Sequence, residues 1–389
     1  MNLMPETQKF DTHVCLISDQ ATPNLLPLLD EAWRPRKVVL ATSTLMTARS
    51  NALAGLLKTK GIAVEVLALR DVYDYASLCE DFLGFLASRG GETVALNVTG
   101  GTKLMAVAAQ EVFRADDRQA FYVSIETDEI VFLSGGHGAA LNAKLKIAES
   151  LRAHGYIAHG GETPQINAAQ RDLTARLVDR VSSFGPALGQ INSLAQQAKA
   201  TLQCQLTDAQ ADSKKLADMI DLFAQAGYVK QLGATLKFAD EASRFFVNGG
   251  WLEYHLLQTL RDLQGTHPIT DITLNLKVTH PDGITQNEID VAFMLRNTLH
   301  IIECKTANLA QAGVTQDDKA TETVYRMESL LKLGGLRTRG MIVDYRGAFS
   351  ASEANRKRAQ LSKLEILSGS ELKDAKGQIA RRWMAAAAI

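Results

Sequence analysis

The segment "NEIDVAFMLRNTLHIIECKTA", residues 287–307, predicts two short apolar strands joined by a tight turn. Asp290 lies in the first strand, and Glu303 and Lys305 lie in the second. Charged side chains are rare in buried strands unless they are paired or bind something. These three positions therefore indicate a cluster that is either functional or ion-paired.

The geometry of strands predicts that the three charges meet. Side chains two residues apart share a face, so Glu303 and Lys305 point the same way. With a turn at Arg296-Asn297-Thr298, antiparallel pairing brings Asp290 opposite the region of Glu303. Two converging carboxylates repel each other unless a cation joins them, which favours a hard divalent ion, Mn²⁺ or Mg²⁺. The structural alternative is an ion pair between Lys305 and one of the acids.

A third acid precedes the hairpin. Glu253 shares one face of a predicted helix with Leu256, Leu257 and Leu260, at offsets that place it on the apolar side. An acid in that position needs a partner, and the same cation site would provide one.

This pattern resembles the core of the PD-(D/E)xK nucleases: Asp290, then Glu303-Cys304-Lys305 on two hairpin strands, after a helix with Glu253. The resemblance implies metal-dependent cleavage of phosphodiesters. It makes Asp290, Glu303, Lys305 and Glu253 the catalytic residues and the three acids among them the metal ligands. Similar nucleases often carry further polar residues on the next helix, where Gln316, Lys319 or Tyr325 would serve.

Residues 1–150 alternate apolar strands with helices. The predicted strands are 13–18, 37–42, 63–69 and 93–99, and two more follow around a turn at Thr127-Asp128. Buried strands separated by helices indicate a mostly parallel, Rossmann-like α/β sheet covered on both faces. Ligands bind such sheets beyond the carboxyl ends of the strands.

Polar loops follow three of these strands. The segment "NVTGGTKLM", residues 97–105, offers backbone N–H groups, hydroxyls and a cation at a helix N-terminus, as an anion or phosphate site requires. It matches neither the Walker loop nor GxGxxG. The alternative is a tight turn that needs glycine. Asp19 and Gln20 follow the first strand, and Thr44 follows the second.

The remainder divides into a connector and a third domain. We expect a linker at Gly160-Gly161 and a helical, winged-helix-like connector with a two-stranded wing over 165–245. It lacks an arginine-rich recognition helix, so a packing or dimer-forming role is favoured over DNA reading. Residues 246–389 contain the charged hairpin, one further strand and a charged helical end.

The order of these parts resembles the CRISPR-associated Rossmann-fold (CARF) effector nucleases. The resemblance implies an N-terminal sensor for a cyclic oligoadenylate, a homodimer with the two-fold symmetric ring between its subunits, and a C-terminal PD-(D/E)xK domain. It makes cyclic tetra-adenylate the activator and DNA, RNA or both the substrate. The implied ligand-binding residues are Asp19, Gln20, Thr44, Thr99, Gly100, Gly101, Thr102 and Lys103.

Composition is compatible with this reading. The chain has 389 residues, 46% of them hydrophobic, and a formal net charge of −1, which excludes a generally basic nucleic-acid coat but not a local groove. No apolar run is long enough for a membrane span and no signal peptide is evident, so we expect a cytoplasmic protein. Four scattered cysteines argue against a zinc site or disulfide framework. Two other functions remain open: a ligand-responsive DNA-binding regulator, and a ring nuclease that degrades the cyclic nucleotide.

Overall fold

The computed structural model describes residues 9–135, 138–306, 316–347, 349 and 352–384, with no side-chain detail for residues 316–318. Within these ranges the strands form three sheets, of seven, three and six strands. No helix in these ranges is both long and apolar enough to cross a membrane.

The N-terminal domain is built on the seven-stranded sheet, in the order β3-β2-β1-β4-β5-β6-β7. Its strands are β1 (Thr12–Leu16), β2 (Lys37–Thr42), β3 (Ala63–Ala68), β4 (Val94–Asn97), β5 (Gln119–Ser124), β6 (Glu129–Phe132) and β7 (Ala139–Ala140). Its helices are α1 (Thr22–Leu29), α2 (Thr47–Thr59), α3 (Tyr75–Ala87), α4 (Lys103–Ala115) and α5 (Ile147–Ala153), with a 3₁₀ turn at Thr44–Met46. β1 to β5 are parallel, and β6 and β7 add antiparallel pairs. The predicted Rossmann-like arrangement is confirmed.

The connector folds as a helical unit with a small sheet. It comprises α6 (Ala168–Asp179), α7 (Val181–Gln197), β9 (Gln203–Gln205), α8 (Asp208–Ala211), α9 (Lys214–Gln225), β10 (Val229–Leu232) and β11 (Thr235–Phe238). This order is winged-helix-like, as predicted. The expected two-stranded wing has a third strand, because β9 pairs with β11; three residues with two glutamines carry too little apolar pattern to predict it.

The C-terminal domain is built on the six-stranded sheet, in the order β16-β15-β14-β13-β12-β8. Its strands are β8 (Ile157–Glu162), β12 (Ile269–Thr279), β13 (Gln286–Leu295), β14 (Thr298–Lys305), β15 (Arg339–Asp344) and β16 (Leu364–Ser368). Its helices are α10 (Glu241–Phe245), α11 (Trp251–Gln264), α12 (Gln316–Leu331), α13 (Glu353–Leu361) and α14 (Ala375–Ile379). Shorter helical turns span Phe246–Gly250, Lys332–Gly334, Gly369–Asp374 and Ala380–Met384.

One sequence prediction is wrong here. Gly160-Gly161 is part of β8, which pairs with β12 at the edge of the C-terminal sheet, rather than a linker. Gly161 has φ +87°, and a Cβ there would lie 2.7 Å from Oγ1 of Thr273. Close approach of the two strands therefore needs a glycine, and a strand written "IAHGGE" lacks the apolar alternation that predicts a strand. β12 and β16 have no counterpart among the strands predicted from the sequence.

The C-terminal sheet has different neighbours on its two faces. Ile302 and Val343 belong to one core with helices of the connector and α11. Ile301 and Ile342 belong to another, which also contains Leu25 of α1 and residues of α5 and α12. The second core is shared by the N-terminal and C-terminal domains, so α12 lies where both domains pack.

Candidate active site and ligand-binding rim

The β13–β14 hairpin brings Asp290 and Glu303 together. Arg296 and Asn297 form its turn with φ +47° and +57°, a left-handed pair that matches the twist of a tight hairpin. The ladder runs from Leu295 opposite Thr298 to Val291 opposite Ile302, so the next positions are Asp290 and Glu303. There the backbone N–H of Cys304 donates to Oδ2 of Asp290 at 2.7 Å. The expected convergence of these two acids is what the structure shows.

Glu303 is fully buried and faces two cations. Nζ of Lys305 lies 2.6 Å from Oε1 of Glu303, which agrees with the prediction that the two side chains share a face. The guanidinium of Arg326, on α12, contacts the same oxygen and also donates to the backbone oxygen of Glu288 at 2.9 Å. Among the described residues, Oε2 of Glu303 has no hydrogen-bond partner.

Glu253 approaches from α11. The chain kinks at Gly249, where φ is +119° and a Cβ would lie 2.3 Å from Oγ1 of Thr306. This close approach places the start of α11 against the end of β14. Glu253, in the first turn of α11, is 9% exposed, and its Oε2 has no hydrogen-bond partner within the described part of the chain.

Burial and like charge raise the pKa values of two of these acids. For Glu253 burial is the largest cause, followed by the carboxylates of Asp290, Glu288 and Glu303. Burial and Glu303 also raise the pKa of Asp290, while the Cys304 N–H, Lys305 and Arg326 act in the opposite direction. Carboxyl groups in this state favour a shared proton or a bound cation over separate negative charges.

The acids do not form a ready-made cation site. Across the described residues, no group of three or more His, Cys, Asp or Glu side chains is placed to hold a metal ion. One oxygen of Glu303, Oε1, is already paired with both Lys305 and Arg326.

Arg326 is not among the residues that the sequence predicts for the site. Of the residues suggested on α12, Tyr325 is 62% exposed, Lys319 lies seven positions before Arg326, and the side chain of Gln316 lies outside the described residues. Ala320, Val324 and Met327 form the buried stripe of α12. Leu330 belongs to the same core and lies four positions after Arg326, so helical periodicity places Arg326 at the edge of that stripe, and this was the available signal.

The polar loops of the N-terminal domain lie on one rim of its sheet. The sheet order reverses between β1 and β4, and this reversal is where open α/β sheets bind ligands. Asp19 and Gln20 follow β1, Thr44 follows the adjacent β2, and residues 99–103 follow β4. Asp19 and Thr44 are exposed and Gln20 is half-buried, so these three predicted ligand-binding residues lie at an accessible edge.

The glycine loop is tightly packed. A Cβ on Gly100 would lie 2.0 Å from the backbone oxygen of Leu16, and Gly101 has φ +72°. Thr102 caps α4 by accepting the Met105 N–H at 3.2 Å, while Thr102 and Lys103 remain exposed. This loop therefore needs glycine for a tight turn and also exposes polar groups at the rim.

Thr99 has a structural task within the same loop. Its hydroxyl donates to Oδ1 of Asn97 at 2.7 Å and accepts the backbone N–H of Val123 at 2.7 Å. These bonds tie the ends of β4 and β5 together and engage the hydroxyl on both sides.

Comparison with known families assigns two segments of the chain, on either side of the connector. Residues 12–150 match the family described as the Card1 CARF domain, and residues 239–387 match the Card1-like endonuclease domain. The chain belongs to the CARF effector nucleases of the Card1 type. None of the curated proteins compared matches it.

Solved structures resemble this CARF nuclease over almost its whole length. Protein VC1899 from Vibrio cholerae is 27% identical with a TM-score of 0.87, and the match covers 96% of this chain and 98% of that one. Can2 from Sulfobacillus thermosulfidooxidans, solved in complex with cyclic tetra-adenylate, is 25% identical with a TM-score of 0.78, covering 96% and 97%. A type III CRISPR defence DNA nuclease activated by cyclic oligoadenylate shares the fold at 19% identity and a TM-score of 0.56, covering 88% of this chain and 46% of that one.

Proposed function

We propose that this CARF nuclease is a metal-dependent enzyme of the PD-(D/E)xK type that cleaves DNA, RNA or both when cyclic tetra-adenylate binds its N-terminal domain. The observation that carries the proposal is the meeting of Asp290, Glu303 and Lys305 at the end of one hairpin, within a domain of the Card1-like endonuclease family. The matching fold of Can2, solved with cyclic tetra-adenylate, supports this choice of activator.

The acids of the site fit Mn²⁺ or Mg²⁺ by their chemistry. Oε2 of Glu253 and Oε2 of Glu303 are buried oxygens without a hydrogen-bond partner among the described residues. Such oxygens are costly to bury unless something binds them, and carboxylate oxygens are the ligands that hard divalent cations prefer. Asp290, Glu303 and Glu253 would hold the ion.

The residues around these acids suit phosphodiester hydrolysis. When bound, the cation would stabilise charge on the phosphate and lower the pKa of a water molecule. Lys305, on the same face as Glu303, presents an ammonium group to the negative charge that builds up on the phosphate. The Cys304 N–H holds Asp290 in place at 2.7 Å, so the strand backbone orients the first acid.

The rim of the N-terminal domain would bind the ring. Asp19, Gln20, Thr44, Gly100, Gly101, Thr102 and Lys103 present backbone and polar groups there, with Thr99 holding the loop in shape. A symmetric cyclic tetranucleotide presents equal faces, so two subunits related by a two-fold axis would offer it identical loops. We therefore propose a homodimer acting in the cytoplasm.

The DNA-binding regulator gains no support from the connector. The exposed side of α9 carries Lys214 and Lys215 together with Asp218 and Asp221. Mixed charge on this helix does not provide the basic surface that reading DNA requires.

A cleavage assay tests the proposal. Plasmid, single-stranded DNA and single-stranded RNA are incubated with Mn²⁺, with and without cyclic tetra-adenylate, beside a Glu303→Ala variant. Cleavage that needs both ring and metal and is lost in the variant supports the proposal. Absence of cleavage under every combination would overturn it, and loss of the ring over time without cleavage of nucleic acid would favour the ring nuclease.

A further inference from the structure

One helix, α12, connects the nuclease carboxylate with the ligand-binding rim. Arg326 on this helix contacts Glu303. Five residues later α12 ends at Leu331, and the helical turn Lys332–Gly334 follows at once. The next residues, 335–337, lie against the N-terminal domain.

Gly335 packs directly beneath the loop after β1. A Cβ on Gly335, where φ is +80°, would lie 2.7 Å from Nε2 of His154 and 3.5 Å from the backbone oxygen of Asp19. His154 is buried, and Nδ1 lies 2.8 Å from the backbone oxygen of Ser150. Since a carbonyl oxygen only accepts, Nδ1 carries the proton, and Nε2 accepts the N–H of Ala21 at 3.5 Å.

Ion pairs reinforce this junction. Arg337 pairs with Glu126, which lies in the connection between β5 and β6. Nε of Arg49 lies 3.4 Å from Oδ1 of Asp19, and the same guanidinium donates to the backbone oxygen of His154. A displacement of Asp19 or Gln20 would therefore be transmitted directly to the turn after α12, without an intervening flexible element.

One and a half turns before the end of α12, Arg326 and Lys305 compete for Glu303. Lys305 and Arg326 share Oε1 of this buried carboxylate. A divalent ion approaching Glu303 meets both positive charges, and withdrawal of either one would strengthen its binding. Lys305 is fixed by the strand that also holds Glu303, whereas Arg326 moves with α12.

We propose that Arg326 is a positioning residue that keeps Glu303 from binding the catalytic cation, and that ring binding at the rim withdraws it through residues 334–337 and α12. The inference rests on the proposed function, since it assigns the regulation of the same site. In the ligand-free protein Arg326 neutralises Glu303, and with the ring bound Glu303 is released to the cation.

Calorimetric titration of Mn²⁺ tests this, with and without cyclic tetra-adenylate and without nucleic acid. In the unaltered protein the ring should tighten Mn²⁺ binding. Arg326→Gln should bind Mn²⁺ about tenfold more tightly than the unaltered protein in the absence of the ring, because loss of one charge-assisted hydrogen bond corresponds to such a factor. In this variant, addition of the ring should change the Mn²⁺ affinity little. Arg326→Lys should restore part of the dependence on the ring.

Two further variants complete the design. Lys357→Gln removes one positive charge from an exposed position on α13, outside α12 and residues 334–337, and should behave like the unaltered protein. Arg337→Gln should still bind the ring, while the ring's effect on Mn²⁺ affinity shrinks. Equal Mn²⁺ affinity in Arg326→Gln and the unaltered protein, or an undiminished ring effect in Arg326→Gln, would refute the role of Arg326. Failure of the ring or Mn²⁺ to bind the unaltered protein would instead refute the proposed function, and this inference with it.

Discussion

Replacing Glu253 with glutamine should stabilise this CARF nuclease and abolish its activity. Glu253 is 9% exposed, and burial together with Asp290, Glu288 and Glu303 raises the pKa of its carboxyl group well above its ordinary value. Folding at pH 7 therefore requires the group to take up a proton that the unfolded chain has lost. Glutamine has nearly the same shape and carries no charge to neutralise.

The magnitude follows from proton linkage. An unfolded glutamate has a pKa of about 4.3, so its protonation at pH 7 costs at most about 4 kcal/mol. Part of this cost remains as the burial of a polar amide, which leaves an expected gain of about 1–3 kcal/mol for Glu253→Gln. For a cooperative unit of about 200 residues, this gain corresponds to a rise in Tm of about 2–7 °C.

The stability difference between the two proteins should increase as pH rises. A raised folded pKa means that the unaltered protein loses stability, relative to Glu253→Gln, as pH rises above the unfolded pKa. The difference in Tm should be small near pH 4 and large at pH 8. Thermal unfolding in a chelating buffer at several pH values measures it.

Glu31→Gln is the matched control, because Glu31 is an exposed acid of the N-terminal domain whose charge is not among those that raise the pKa of Glu253, and it should leave Tm nearly unchanged. Mn²⁺ at one hundred times its Kd should stabilise the unaltered protein by about 2.7 kcal/mol and so raise its Tm. The same addition should change the Tm of Glu253→Gln little. A Glu253→Gln protein that melts below the unaltered one at pH 8, or a difference that does not change with pH, would refute the reasoning.

Three other predictions concern the rim and the hairpin. Gly100→Ala should lower stability by about 2–4 kcal/mol and weaken ring binding, because its Cβ would lie 2.0 Å from the backbone oxygen of Leu16. Gly84→Ala, where nothing lies within 4 Å, should not lower the Tm in the same melting experiment, and equal losses in the two variants would contradict this account. Lys305→Ala should reduce cleavage at saturating Mn²⁺ by about 10²-fold or more while retaining Mn²⁺ binding by calorimetry; lost binding would instead make Lys305 structural. Burial and Glu303 raise the pKa of Asp290, and only the ionised carboxylate binds a cation. Mn²⁺ affinity should therefore fall as pH decreases through that raised pKa, which lies well above the ordinary range of aspartate. An Mn²⁺ affinity that does not change from pH 5 to 8 would exclude this role of Asp290.

The hairpin shows how far local rules reach. Strand alternation and the turn near Asn297 were sufficient to place Glu303 beside Lys305 and opposite Asp290, because both relations depend on a period of two and on one short turn. The parallel order of the N-terminal sheet was predictable for a similar reason, since buried strands separated by helices have few alternatives. β8 was not predictable, because its "HGGE" residues become a strand only through pairing with β12.

The sequence by itself determined the chemistry of this protein: which acids and lysine the hairpin carries, and which polar loops follow the parallel strands. The tertiary structure decided what these groups contact. Arg326 reaches Glu303 across 23 residues of sequence, and Gly335 packs beneath His154 and Asp19 from the other end of the chain. The physical reason is that local periodicity fixes the face of a residue within its own element, whereas its partners depend on how distant elements pack.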